Sequence, residues 1–147
     1  MFELINFMVR ISNFKLLKIL KENSRTPYIR IAKILGVSET AVRKRIKKLE
    51  EMGIIKKYTI EIDPKKIGYN IVTLIGIDTL PEHLFSIIDK LKEMDEVISL
   101  YSSSGDHMIL IESWFKNSDE LSIFIKKLEK MPGIIKICPA IILEKLK

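Results

Sequence analysis

Between Phe14 and Leu20 the apolar side chains Phe14, Leu16, Leu17, Ile19 and Leu20 recur at helical spacing, while Lys15, Lys18 and Lys21 fill the other face. The pattern predicts an amphipathic helix that Asn23-Ser24 brings to an end. A second short helix is predicted over residues 29–35, started by Thr26-Pro27, stopped by Gly36, and directing Ile31, Ala32 and Leu35 inward. Ser38 then stands at an N-cap position ahead of a helix over 39–50, in which Val42, Ile46 and Leu49 fall at i, i+4 and i+7. Ala41 at the third helical position leaves the capping box incomplete. Residues 53–62 alternate, with Thr59 and Glu61 on one side and Tyr58, Ile60 and Ile62 on the other, which predicts a turn and a short β-hairpin. Two helices joined by a glycine turn and closed by such a wing make a winged helix-turn-helix, assigned to residues 1–62.

After a linker at 63–70 the period changes, and residues 71–147 read as a second domain. The β-branched run 71–77 predicts a buried strand with Gly76 as a candidate bulge, and Pro81 opens the next element. Leu84, Phe85, Ile87, Ile88, Leu91 and Met94 predict a helix, and strands are predicted over 97–101 and 108–115 on either side of a short loop. Asn117 caps a helix over 118–131, whose acids Asp119 and Glu120 and bases Lys126, Lys127 and Lys130 complement the helix dipole. A last strand over 134–143 follows Pro132-Gly133, and its Pro139 argues for a sheet edge or a bulge. This β-α-β-β-α-β order is ferredoxin-like, so the predicted class is α+β. Helices cover only one face of such a sheet, and apolar residues such as Ile109, Leu110 and Ile111 supply both faces. The same surface of a second subunit is the expected cover, which predicts a homodimer.

Charge sharpens the division. The 147-residue chain has a net charge of +6. Residues 1–67 hold 16 basic against 7 acidic side chains, +9, whereas residues 68–147 hold 9 against 12, −3. The first domain is therefore expected to meet an anion and the second something else. No apolar run approaches the roughly 18 residues that a membrane span needs. The apolar start, residues 1–9, lacks a basic leader and a small-residue cleavage site, so a cytoplasmic protein with no membrane partner is expected. That start reads either as a start-site artefact with Met8 as the true start or as an extra interface strand. Cys138 is the one cysteine, and His83 and His107 are the two histidines, which predicts no disulfide and no structural metal.

The helix over 39–50 opposes its apolar stripe with Thr40, Arg43, Lys44, Lys47 and Lys48, the face expected of a helix that enters the major groove of double-stranded DNA. Ser38 caps it, and Glu39, Thr40, Arg43 and Lys44 are the candidates for base edges. Arg30, Arg45, Lys47, Lys56 and Lys57 are the candidates for phosphate contacts, from the flanking helix, the end of the recognition helix and the wing.

Asn23-Ser24-Arg25, Leu35-Gly36-Val37-Ser38, Arg45-Ile46-Lys47-Lys48-Leu49-Glu50, Gly53-Ile54-Ile55, Asp63-Pro64-Lys65-Lys66-Ile67-Gly68-Tyr69 and Ser104-Gly105-Asp106 together resemble the Lrp/AsnC (feast/famine) transcription regulators, from about residue 12 to 146. The resemblance implies a DNA-binding head, a ligand-sensing and assembly domain, dimers that often build octamers, and a small effector, usually an amino acid, bound between dimers without a cofactor. The family's effector loop carries Gly-Asp and a second Asp two residues on; Gly105 and Asp106 match, but Met108 stands in the second position. Ser103, Ser104, Gly105 and Asp106 are the effector candidates, through hydroxyl and backbone contacts, and the same residues also suit a plain hairpin turn. His107 reads as a structural or surface residue, Cys138 as a buried strand thiol, and Trp114 as a core or interface aromatic. Two alternatives remain at this point. One is an architectural DNA-binding protein without effector. The other is an enzyme like the siroheme decarboxylases, whose Arg-x-His-x-Tyr-Asn-x-Trp motif here keeps the His, as His107, and lacks the Arg, Tyr and Asn.

Overall fold

The computed structural model describes residues 11–147, and the two readings of residues 1–9 fall outside them. The chain divides into two compact units, Met1–Glu61 and Ile62–Lys147.

Among the described residues of the first unit three helices surround one core: α1 (Asn13–Glu22), α2 (Tyr28–Leu35) and α3 (Glu39–Glu51). Side-chain oxygens close two of their N-termini, Ser12 Oγ accepting from Lys15 N–H and Ser38 Oγ accepting from Ala41 N–H at 3.1 Å. Gly36, at φ 67°, ends α2. The core joins Leu16 and Leu20 of α1, Ile31 and Ala32 of α2, and Val42, Ile46 and Leu49 of α3. Leu35 is half-buried rather than fully inward. The predicted wing hairpin is not formed, since residues 54–63 contain no strand. Gly53 (φ 68°) is used to terminate α3, where the N–H groups of Ile54 and Ile55 both reach the Leu49 carbonyl. One alternating run is then left, and Asp63-Pro64 arrives before a second run could return along it.

The second unit is a four-stranded antiparallel sheet, β1 (Ile71–Thr79), β2 (Ser99–Ser102), β3 (Ile109–Phe115) and β4 (Ile134–Ile142), in the order β2-β3-β1-β4, with α4 (Leu84–Lys92) and α5 (Ser118–Glu129). Alternation along β1 and β3 sends Ile75, Ile77, Ile109, Ile111 and Phe115 into one core with Ile87 and Leu91 of α4 and Phe124 and Leu128 of α5. The opposite face carries Val72, Leu74, Leu110, Trp114, Ala140 and Ile142, of which Leu74 and Ala140 are exposed and the others half-buried. Pro139 lies on the edge strand β4, opposite Ile75, and an edge is where a sheet tolerates a residue without an N–H. Asn117 Oδ1 accepts from Glu120 N–H at 3.0 Å, and Glu120 in turn accepts from Lys116 N–H at 2.9 Å. The segment read as a linker is folded onto this unit: Pro64–Ile67 form a 3-10 turn capped by Asp63, Lys65 Nζ donates to the Leu143 carbonyl, and Tyr69 packs on Trp114.

Gly76 is not a bulge. It pairs in regular register with Leu110 and Cys138, and the register shift falls at Asp78/Thr79. Glycine is needed for a different reason, because a Cβ at 76 would lie 2.1 Å from His107 Cδ2. That imidazole is tethered, with Nδ1 2.9 Å from Asp78 Oδ2, while Asp78 Oδ1 accepts from Met108 N–H at 3.1 Å. The hydrogen bond from His107 holds the Asp78 carboxyl below its ordinary range against the opposing effect of burial, and the Met108 N–H helps. Relieving the clash by moving the ring would break that tether. Gly76→Ala is therefore expected to destabilise the second unit by about 1–3 kcal/mol. In a thermal-melt double-mutant cycle, His107→Ala should restore most of that stability; equal, additive losses would rule out the clash with the ring as the cause.

Candidate nucleic-acid interface and sensing loop

Burial of Val42, Ile46 and Leu49, at 0, 2 and 1% exposure, sets the rotation of α3. Thr40, Arg43, Lys44, Lys47 and Lys48 are consequently exposed together, beside Ser38 and Glu39 at the helix start. Arg45 lies on the flank and is half-buried, whereas Arg30 on α2 is exposed. Two charges of the face have partners within the helix: Arg43 Nη2 is 2.9 Å from Glu39 Oε1, and Lys47 Nζ is 3.9 Å from Glu51 Oε1. Arg43 also stands over the ring of Tyr28, 5.1 Å from its centroid. Tyr28 is not among the residues that spacing singles out, because its role depends on how α2 crosses α3.

Lys56 and Lys57 lie on the exposed stretch after α3, and this stretch is pinned. The Tyr58 hydroxyl donates to Glu50 Oε1 at 2.6 Å, tying the chain back to α3 just after Lys56 and Lys57. Desolvation of that hydroxyl, the hydrogen bond to Glu50 and the nearby carboxylate charge push its pKa up to about 12.

In the second unit Ser103, Ser104, Gly105 and Asp106 are exposed in the β2–β3 loop. Ser103 closes it with two bonds, its N–H to the Met108 carbonyl at 2.9 Å and its hydroxyl to the His107 carbonyl. Met108 is half-buried against the core, and its N–H rather than its side chain engages an acid, Asp78. An open groove of about 620 Å³ lies near the other end of β3, where Tyr69, Ile98, Trp114 and Ile123 line it, and none of the four loop residues borders it. Among the described residues no group of three or more His, Cys, Asp and Glu could hold a metal ion, and no helix is long and apolar enough to cross a membrane.

Residues 10–56 match the winged helix-turn-helix DNA-binding family, and residues 72–147 match the Lrp/AsnC ligand binding domain. The chain is 57% identical over 133 residues to the HTH-type transcriptional regulator LrpA of Pyrococcus abyssi, covering 90% of this chain and 94% of that one. The chain belongs to the Lrp/AsnC family. Escherichia coli AsnC has the same fold at a TM-score of 0.78 and 30% identity, over 94% of this chain and 95% of its own. So has a feast or famine regulatory protein from M. tuberculosis complexed with L-methionine, at a TM-score of 0.81 and 22% identity, over 92% of each. This Lrp/AsnC protein is a DNA-binding transcription regulator with a ligand-binding domain, and its relatives are named regulators, which sets the decarboxylase alternative aside.

The tie between Tyr58 and Glu50 has two expected consequences. In an ultraviolet titration one of the four tyrosines should ionise near pH 12, and Tyr58→Phe should remove that step. Because the folded-state pKa is raised, the stability linked to Tyr58 is complete below its unfolded value of about 10 and is lost as pH rises through about 12. Absence of that step would mean that the hydrogen bond does not form in solution.

Proposed function

We propose that this regulator reads a specific operator through α3, with Glu39, Thr40, Arg43 and Lys44 at base edges and Arg30, Arg45, Lys47, Lys56 and Lys57 on phosphates, from a Ser38-capped helix. The observation that carries the reading is the exposed basic face of α3, held outward by three buried apolar residues. A homodimer formed through the uncovered sheet face of Leu74, Leu110 and Trp114, and assembling further toward an octamer, would present paired helices to half-sites about 10 bp apart, or a multiple of that. Division of labour makes the roles separable. Arg43→Ala should weaken operator binding more than random-duplex binding, whereas Lys56→Ala should weaken both and lower the salt slope by about one, the value for a single phosphate. Equal losses for both variants on both duplexes would sink the assignment.

Ser103, Ser104, Gly105 and Asp106 are the proposed effector contacts, for an amino acid or a related small molecule. Support comes from the ligand-binding domain match and from the methionine-bound relative of the same fold. The loop is exposed and does not border the groove near the other end of β3, which suits a site completed by another subunit. An effector shifts operator affinity only by as much as it prefers one assembly geometry over another. A second reading, DNA compaction without effector, draws on Met108, which offers no carboxylate to an ammonium group. Gel-shift titration against the protein's own upstream DNA and a random duplex, with and without pooled amino acids, separates the two. Preference for the upstream DNA and a response to the pool are expected; equal binding and no response would favour compaction.

A further inference from the structure

We infer that Glu39 and Tyr28 form a clamp that reserves Arg43 for a guanine edge and withholds it from the phosphate backbone, making Glu39 a specificity-determining residue and Tyr28 a positioning residue. The inference rests on the operator reading proposed above and adds to it which base is read and what enforces the choice.

Glu39 is the first residue of α3, directly after the Ser38 cap, at the end of the helix that reaches deepest toward base edges. Its carboxylate lies 2.9 Å from Arg43 Nη2, one turn on. The joined pair carries no net charge. A phosphate approaching Arg43 would meet the Glu39 carboxylate as well, so Arg43 contributes little to counterion release in this state. Guanine poses no such conflict, because its O6 and N7 are neutral acceptors that suit the guanidinium fork, and four of the five N–H donors remain for them. The second Glu39 oxygen suits the amino group of a cytosine, so the pair favours a step containing G·C.

Tyr28 supplies the other constraint. A free arginine side chain has wide rotamer freedom, and the helix pair with Glu39 alone restricts only one edge of the guanidinium. The ring of Tyr28, 5.1 Å from the guanidinium carbon, covers its flat side. Tyr28 is itself half-buried and packed against the core of the first unit, and it is the first residue of α2. The clamp therefore spans both helices of the helix-turn-helix.

The test is binding-site selection from random duplexes by the full chain, followed by titration of the wild type, Glu39→Gln, Tyr28→Leu and Tyr28→Phe on the enriched and a random duplex over a range of salt. The wild type should enrich a site with a required G·C pair. Glu39→Gln should bind the random duplex more tightly, steepen its salt slope by about one, and lower the enriched-to-random ratio by about fivefold or more. Tyr28→Leu should lower the ratio while Tyr28→Phe, which keeps the ring, stays near wild type. A site whose G·C pairs are all dispensable, or an unchanged slope and ratio in Glu39→Gln, would overturn the clamp while leaving operator recognition standing. Parallel loss of affinity for both duplexes in Glu39→Gln would likewise reduce its role to helix stability and overturn the clamp. Failure of the wild type to enrich any sequence would overturn operator recognition and the clamp together.

Discussion

Everything the first unit can do depends on a stripe of three side chains on one helix. Val42, Ile46 and Leu49 have their counterparts in Leu16, Leu20 and Ile31, and fully burying such residues contributes about 1.5–3 kcal/mol each. Because side chains on a helix share a rigid frame, burying that stripe also decides the heading of every charge on α3. Rotation by one residue, roughly 100°, would bring Arg43 and Lys47 toward the core and expose the apolar stripe. The cationic face is thus a by-product of packing. Its chemistry can vary without disturbing the fold, since no core residue is asked to recognise anything.

The second unit is built on the other period, and the same economy appears in a different form. Alternation along β1 and β3 separates residues that hold α4 and α5 in place from residues that do not. The helix-side set makes a closed core. The other set, with Leu74 exposed and Leu110, Trp114 and Ile142 half-covered, is apolar beyond what solvent alone would favour. One sheet accordingly serves stability on one side and is left without a covering helix on the other.

Periodicity carries most of this in the linear chain. The three-helix stripe, the Ser38 and Asn117 caps, the β-α-β-β-α-β order and the edge position of Pro139 all follow from local patterns, and the structure has them. The wing does not follow, because alternation at Tyr58, Ile60 and Ile62 specifies an extended chain and says nothing about a partner strand. Gly76 is legible only as an anomaly. The cause, His107, is far along the chain and becomes its neighbour through the β1–β3 register. Similarly, the charge pattern marks Arg43, but its stacking on Tyr28 and the anchoring of Tyr58 to Glu50 depend on tertiary geometry that no spacing encodes. Local order is readable in the chain; side chains meeting across elements are not.

The pairing of Gly76 with the His107 ring also constrains how this sequence can change over time. A chain that first exchanged His107 for a smaller residue would leave open space above position 76, which a side chain could later fill. Once filled, the route back is closed, since no imidazole could return until the glycine did. The two positions therefore form a ratchet, and the order of substitutions at 107 and 76 determines which descendants of this sequence are reachable.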